Sequence, residues 1–354
     1  MNEPLRRPLL TRPRSMLLSA LLGVALLPIA QAQAAATTLT LPQAVTSALT
    51  AGATVRDAQA GAVSAASTLK AVQADPSTLA AALLTAQQAN TLAQANLSQA
   101  RLTAVQNAVN AYTSLYQTQA QIDQQKLQVQ VDEKNLQVAQ VKLSTKNGTA
   151  LDVENAQNTL ASSRQALASA QAQIVVNSQK LANVIGKPGS YSAATPPTPP
   201  KVRLNTTLST NYPTLLQDQQ AVDAAALAVK LANNEFTARV TLDQAKTKLA
   251  SAQSDLSTLQ KTLNTTLATA QSSAEAAQAS YQTAIQAEAN AQATYKQDNV
   301  RYTSGTISAV QLLQSQLALK KAQYARAQAL VSLWQALAAL GSASGQDQTG
   351  LAAQ

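Results

Sequence analysis

The stretch LDQAKTKLASAQSDLSTLQKTL, Leu242 to Leu263, sets Leu242, Leu249, Leu256 and Leu263 seven residues apart. Ala245, Ala252 and Leu259 follow the first three at a distance of three. Apolar residues at those two spacings form the seam of a coiled coil. Alanine carries the seam on at Ala270, Ala277 and Ala284, and small residues let the paired helices approach closely. The same spacing of seven recurs at Ile122, Val129, Leu136 and Leu143. Around both seams the breakers are missing. No Pro or Gly lies between Ser77 and Asn147, or between Thr214 and Ser304. Runs of that length built from helix formers predict long helices. As one helix, residues 77–147 would extend about 105 Å.

Composition agrees and removes whole classes of function. Of 354 residues, 74 are alanine; 12% are charged and 3% aromatic, with one Trp and one Phe. There is no Cys and no His. That excludes a disulfide framework, a zinc or haem site built on those residues, and Ser-His-Asp or Cys-His catalysis. No phosphate-cradling glycine loop is present either, so no enzyme, cofactor or metal site is expected. Asp152 and Glu154 read as solvated or turn-facing carboxylates.

Residues 1–34 read as a secretory signal peptide. Arg6, Arg7, Arg12 and Arg14 form its basic region and Met16 to Ile29 its apolar run. Ala30-Gln31-Ala32 or Ala32-Gln33-Ala34 offers the small-x-small cleavage site. The alternative is an uncleaved anchor, against which the short run argues. Without residues 1–34 the chain keeps 22 basic and 16 acidic side chains, a net +6 scattered singly. Nucleic-acid binding wants clustered Lys and Arg and is not expected.

Two tight breaks fold the long helices back: Lys146-Asn147-Gly148-Thr149 and Thr303-Ser304-Gly305-Thr306. Each places a glycine where a helix would end in the left-handed region. Helical stretches follow over 150–186 and 307–341, closing on Ile185-Gly186-Lys187-Pro188 and Leu340-Gly341. The organisation is a first helical-hairpin repeat over 35–187, a Pro-rich linker over 188–212, a second repeat over 213–345, and a flexible tail over 346–354. Pro196-Pro197-Thr198-Pro199-Pro200 in the linker is expected to be extended. Three landmarks support the duplication. Ala62-Val63-Ser64-Ala65-Ala66 matches Ala221-Val222-Asp223-Ala224-Ala225 at an offset of 159, and Gly148-Thr149 matches Gly305-Thr306 at 157. Leu181-Ala182-Asn183-Val184-Ile185-Gly186 matches Leu337-Ala338-Ala339-Leu340-Gly341.

Taken together these features resemble the TolC-like outer-membrane efflux proteins. Leu39-Thr40-Leu41-Pro42-Gln43-Ala44-Val45-Thr46-Ser47-Ala48-Leu49 resembles the family's opening helix. Arg301-Tyr302-Thr303-Ser304-Gly305-Thr306-Ile307-Ser308 resembles its R-Y-x-x-G-x-x-S turn. Leu312-Leu313-Gln314-Ser315-Gln316-Leu317 stands where the family has a D-V-L-x-A-Q stretch, which Leu151-Asp152-Val153-Glu154-Asn155-Ala156-Gln157 matches more closely. The resemblance covers roughly residues 39–345. It implies an all-α fold of long antiparallel coiled-coil hairpins in two structural repeats. Three chains would assemble as a homotrimer into an α-helical barrel that exports small molecules or proteins. It further implies a periplasmic adaptor (membrane fusion) protein and an inner-membrane pump as partners, met by the hairpin tips. Carried over, the tips are Gly148, Thr149 and Asp152, and Gly305, Thr306 and Ser308. Gln311 and Gln314 fall where the family often carries acidic residues lining the tunnel entrance, so an acidic gate is not expected.

The chain departs from the family where two β-strands per repeat should stand. A membrane strand needs about 9–11 alternating residues. In the first half Ala74-Asp75-Pro76-Ser77 runs into Leu79 to Leu84, which reads as helix. In the second half Phe236 to Asp243 alternates and reads as one short strand without a partner. The expectation is a shortened relative with minimal β content, in the outer membrane or periplasm, anchored by partners or lying wholly in the periplasm. The alternative function is an envelope structural coiled coil without transport.

Overall fold

The computed structural model describes residues 36–203 and 206–352. The signal-peptide assignment to residues 1–34 lies outside them. Seven helices are present among the described residues: α1 (Leu41–Ala51), α2 (Ala53–Ala74), α3 (Ala80–Ser144), α4 (Ala150–Ile185), α5 (Pro213–Ala232), α6 (Arg239–Thr303) and α7 (Ala309–Ser344). Two three-residue strands, β1 (Thr37–Leu39) and β2 (Tyr191–Ala193), pair in parallel, with Thr37 opposite Tyr191.

The duplication is closer than the motif matches suggest. α3 and α6 each hold 65 residues, and α4 and α7 each hold 36. All four boundaries of the second pair lie 159 residues beyond those of the first. The 157-residue pairing of Gly148 with Gly305 is therefore corrected: Lys146 corresponds to Gly305 and Thr149 to Ser308. The second ending is corrected too. α7 runs through Gly341 and stops at Gly345, whose φ of 70° matches the 68° of Gly186. Gly341 lies within the helix, and residues 346–348 fold back over it so closely that an added Cβ would lie 3.1 Å from the Gln346 carbonyl oxygen.

Each long helix spans about 97 Å at 1.5 Å per residue. In the first half, α2 packs against one end of α3 and α4 against the other. In the second half α5 and α7 do the same along α6. α3 also packs on α7, so the hairpins lie side by side in the order α4, α3, α7, α6. The predicted seam of α6 faces this packing. Along it Ala245 is buried and Leu242, Leu249, Leu256, Leu263, Ala270, Ala277 and Ala284 are half-buried, while the deeper row in the second part of the helix, Leu267, Ala274 and Tyr281, lies four residues on from the predicted positions. The seam of α3 begins buried at Ile122 and ends exposed at Leu143, where the helix outruns its neighbours.

Large side chains gather at mid-height, in a belt where α1, β1, β2 and the ends of α4 and α7 meet α3 and α6. Tyr112, Leu115, Leu181, Ile185, Leu333, Trp334 and Leu337 are all fully buried there. The linker straps the belt. Trp334 Nε1–H donates to the Pro197 carbonyl at 3.2 Å, and Val202 N–H donates to Gln278 Oε1 at 2.8 Å. Tyr112 Oη–H lies 2.7 Å from the Ala194 carbonyl and 3.0 Å from that of Leu39, tying strap and first strand to α3. The tail expected to be flexible is docked through residue 352. Leu351 is buried in the belt, and the Asp347 carboxylate accepts from the backbone N–H groups of Thr349 and Ala352.

The strand expected at Phe236 to Asp243 does not form. Residues 233–238 are a turn, and helix begins at Arg239, because Leu242, Ala245 and Leu249 bury their faces only at helical spacing. The matching connection in the first half, residues 75–79, is also a turn. Neither connection has room for a strand pair of membrane-spanning length. No described helix is long and apolar enough to cross a membrane.

Candidate functional site: the paired hairpin tips

The two tips lie at one end of the described chain. Leu127 and Val131 of α3 pack on Leu317 and Leu313 of α7, which fixes the antiparallel register that brings the end of α3 beside the start of α7.

Both tips are closed by the same device. Thr149 N–H donates to Asp152 Oδ2 at 2.8 Å while Asp152 N–H donates to Thr149 Oγ1 at 3.2 Å. Ser308 N–H donates to Gln311 Oε1 at 2.8 Å and Gln311 N–H donates to Ser308 Oγ at 3.2 Å. These are reciprocal capping boxes, each satisfying two backbone donors that a helix start leaves open. The Thr149 backbone N–H and then its hydroxyl hold the Asp152 carboxyl below its ordinary value. Gln311 fills the same position without a titrating group.

The glycines serve different ends. Gly305 sits at φ 72° with open space around it, so its need is conformational. In the first tip the left-handed position is taken by Lys146, at φ 60°. Gly148 is not left-handed, which corrects the expectation of a left-handed glycine there. A Cβ on Gly148 would lie 2.9 Å from the Lys142 Cβ, so its need is close approach.

The structure therefore brings Gly148, Thr149, Asp152, Gly305, Thr306, Ser308 and Gln311 to one end. Thr306 is held by its own turn, its hydroxyl donating to the Arg301 carbonyl at 2.7 Å. Gln311 is committed to its cap, and Gln314 lies about one turn further along α7, exposed. Sequence reasoning passed over the apolar side chains around them. Val141, Leu143 and Leu151 on the first tip, and Val300 and Tyr302 on the second, are exposed. The signal was the seam itself, which continues to Leu143 although that side chain is exposed. Among the described residues no three His, Cys, Asp or Glu side chains gather to hold a metal.

No protein-family model and no curated protein matches the sequence. Solved structures do match the fold. CusC, solved in work on its folding and transmembrane channel formation, superposes with a TM-score of 0.65 at 15% identity, over 87% of this chain and 96% of that one. VceC, an outer membrane protein of Vibrio cholerae, gives 0.61 at 16%, over 86% and 96%. The CmeC outer membrane channel of Campylobacter jejuni gives 0.61 at 12%, over 87% and 86%. The chain thus has the fold of the TolC-like outer-membrane channels, with 81% of its described residues helical.

Proposed function

We propose that the chain is the conduit of an export assembly, a homotrimeric helical barrel placed at the outer membrane or in the periplasm. The observation that carries this is the pair of open edges. α3 and α7 are packed on both sides, whereas α4 and α6 each leave a flank free. α6 buries only four of its 65 residues. Its uncovered face is mostly Thr, Ser, Gln and Lys, suited to water and to a further helix laid alongside through small residues. An open array with two unlike edges closes by setting the α6 edge of one copy on the α4 edge of the next, which makes a ring.

In this reading the tips dock a periplasmic adaptor that couples the conduit to an inner-membrane pump. Gly148 and Gly305 shape the turns, the two capping boxes hold them, and Val141, Leu151, Val300 and Tyr302 offer the apolar contact. Gln311 and Gln314 border the entrance. The chain does no chemistry itself. Light scattering with negative-stain imaging of the purified chain tests the ring. A trimeric hollow cylinder about 100 Å long is expected, and a monomeric or dimeric solid rod overturns the proposal.

A further inference from the structure

The end of the chain away from the tips carries the most exposed of its large apolar side chains. Phe236, the only phenylalanine, is 98% exposed at the turn between α5 and α6. Leu79 is 76% exposed at the turn between α2 and α3. Leu231 and Val240 stand exposed on either side of Phe236. Both turns stand at the same end, with α5 laid against α3, where Gln220 Nε2 donates to the Gln88 carbonyl at 3.0 Å.

Neither turn is slack. Asn234 rivets the first from both sides: Oδ1 accepts the Phe236 N–H at 2.9 Å and Nδ2 donates to the Leu231 carbonyl at 2.8 Å. Asp75 rivets the second, accepting the Ser77 N–H at 2.9 Å and its hydroxyl at 2.6 Å. A phenyl ring is thus held out in water on a fixed turn, at the end of a helix pair about 97 Å long.

We propose that this end seats on a lipid bilayer surface, with Phe236 and Leu79 dipping into the boundary between headgroups and acyl chains. Two observations favour lipid over a protein partner. The apolar groups stand on separate turns with polar Ser77, Thr78, Asn233 and Thr237 between them. A bilayer covers isolated projections at once, whereas a protein interface needs a contiguous apolar centre. The flanking charges also fit. Lys230 in the last turn of α5 and Arg239 at the start of α6 bracket Phe236, and neither has an ion pair among the described residues. Their long stems reach along an apolar surface and put the charge at phosphate level. Of the nearby acids, Asp75 is bound to its own turn, Glu235 stands at the apex, and Asp243 lies one turn past Arg239 without an ion pair among the described residues.

The inference needs only the chain's own end and not the closed ring. The chain has no cysteine, so Phe236→Cys accepts a single environment-sensitive dye. With vesicles of phosphatidylethanolamine and phosphatidylglycerol, its emission shifts to the blue and brominated lipid quenches it. The same dye on Ser304→Cys, at a tip, does not respond. The unlabelled double variant Phe236→Ser, Leu79→Ser floats with the vesicles about tenfold less, equivalent to ~1.4 kcal/mol, at unchanged helicity. A dye at position 236 that stays in water with vesicles, or undiminished flotation of the double variant, overturns the proposal. So does a dye shielded without lipid in particles of doubled mass, which assigns this end to a second copy. Particle mass is read on the same samples, so failure of the ring and failure of the membrane seat are told apart.

Discussion

Exchanging the residues at the left-handed positions of the two tips should move their stabilities in opposite directions. Lys146 holds φ at 60° although it carries a Cβ, and Gly305 holds φ at 72° without one. A side-chain-bearing residue in that region costs about 1–2 kcal/mol, while glycine gives up about 0.5–1 kcal/mol in chain entropy on being ordered. Lys146→Gly should therefore stabilise the first tip by about 0.5–1 kcal/mol. Gly305→Ala should destabilise the second by the same net amount, about 0.5–1 kcal/mol. The second figure is a clean backbone term, because nothing lies within 4 Å of the added Cβ. Hydrogen exchange resolved by peptide is the assay, since tips open locally without global unfolding. Amides just before Gly305 should exchange about threefold faster in Gly305→Ala, and those around Lys146 about threefold slower in Lys146→Gly. Equal protection of the second tip with Ala or Gly at 305 would refute the reasoning. So would a first tip that loosens when Lys146 becomes Gly.

Gly148→Ala should weaken the first tip by steric contact with Lys142, and the double variant with Lys142→Gly should recover part of the loss by the same exchange measurement. The first tip should also respond to acid. A depressed carboxyl contributes stability above its ordinary pKa, here 3.8, and loses it as pH falls below that value. Tip amides near Thr149 should therefore lose protection below about pH 4, while those near Ser308, capped by Gln311, should not, and Asp152→Asn should abolish the difference. Removing the Tyr112 hydroxyl as Phe should cost about 1–3 kcal/mol, since buried carbonyls of strap and first strand lose their donor; a chemical melt followed by Trp334 fluorescence reads it. Trp334→Ala should cost about 3–5 kcal/mol, read as the loss of cooperative melting of the belt by circular dichroism.

The sequence is most legible where one physical rule governs a long run. Breaker-free segments and leucines at sevens leave no alternative to long helices, and both 65-residue helices lie within the predicted intervals. The turn at residues 233–238 was illegible because it has neither Gly nor Pro. It is made by Asn234 bonding forward and back, a device that any Asn in a polar helix could offer. Phe236 to Asp243 then alternates in sequence over a span too short to compete with the seam beginning at Leu242. Gly341 looked like a stop, yet a glycine ends a helix only if the chain beyond it turns away. Here the following residues lie close along it, and Gly345, where an added Cβ would lie 2.9 Å from the Ser209 side chain, takes that role. The tips were found through their glycines and caps. The offset was misjudged by two residues because Lys146 occupies a position where sequence reasoning looks for Gly. The parallel pairing of β1 with β2 joins segments 154 residues apart, and neither is long enough to announce a strand.

The crowding of large side chains into the belt decides how the long helices can move. Toward the turns at residues 75–79 and 233–238 the buried side chains include Ala86, Ala95 and Ala245, each only a methyl. A methyl has no rotamer to lose and presents a shallow corrugation, so one helix can slide or roll on another there with little rearrangement. At the belt Trp334, Tyr112 and Leu337 interlock, and hydrogen bonds to the strap fix their depth. The belt thus keeps axial registry for the chain. Twisting or splaying at the turn end pivots about that fixed collar, and the strap bonded to it is where such motion stops.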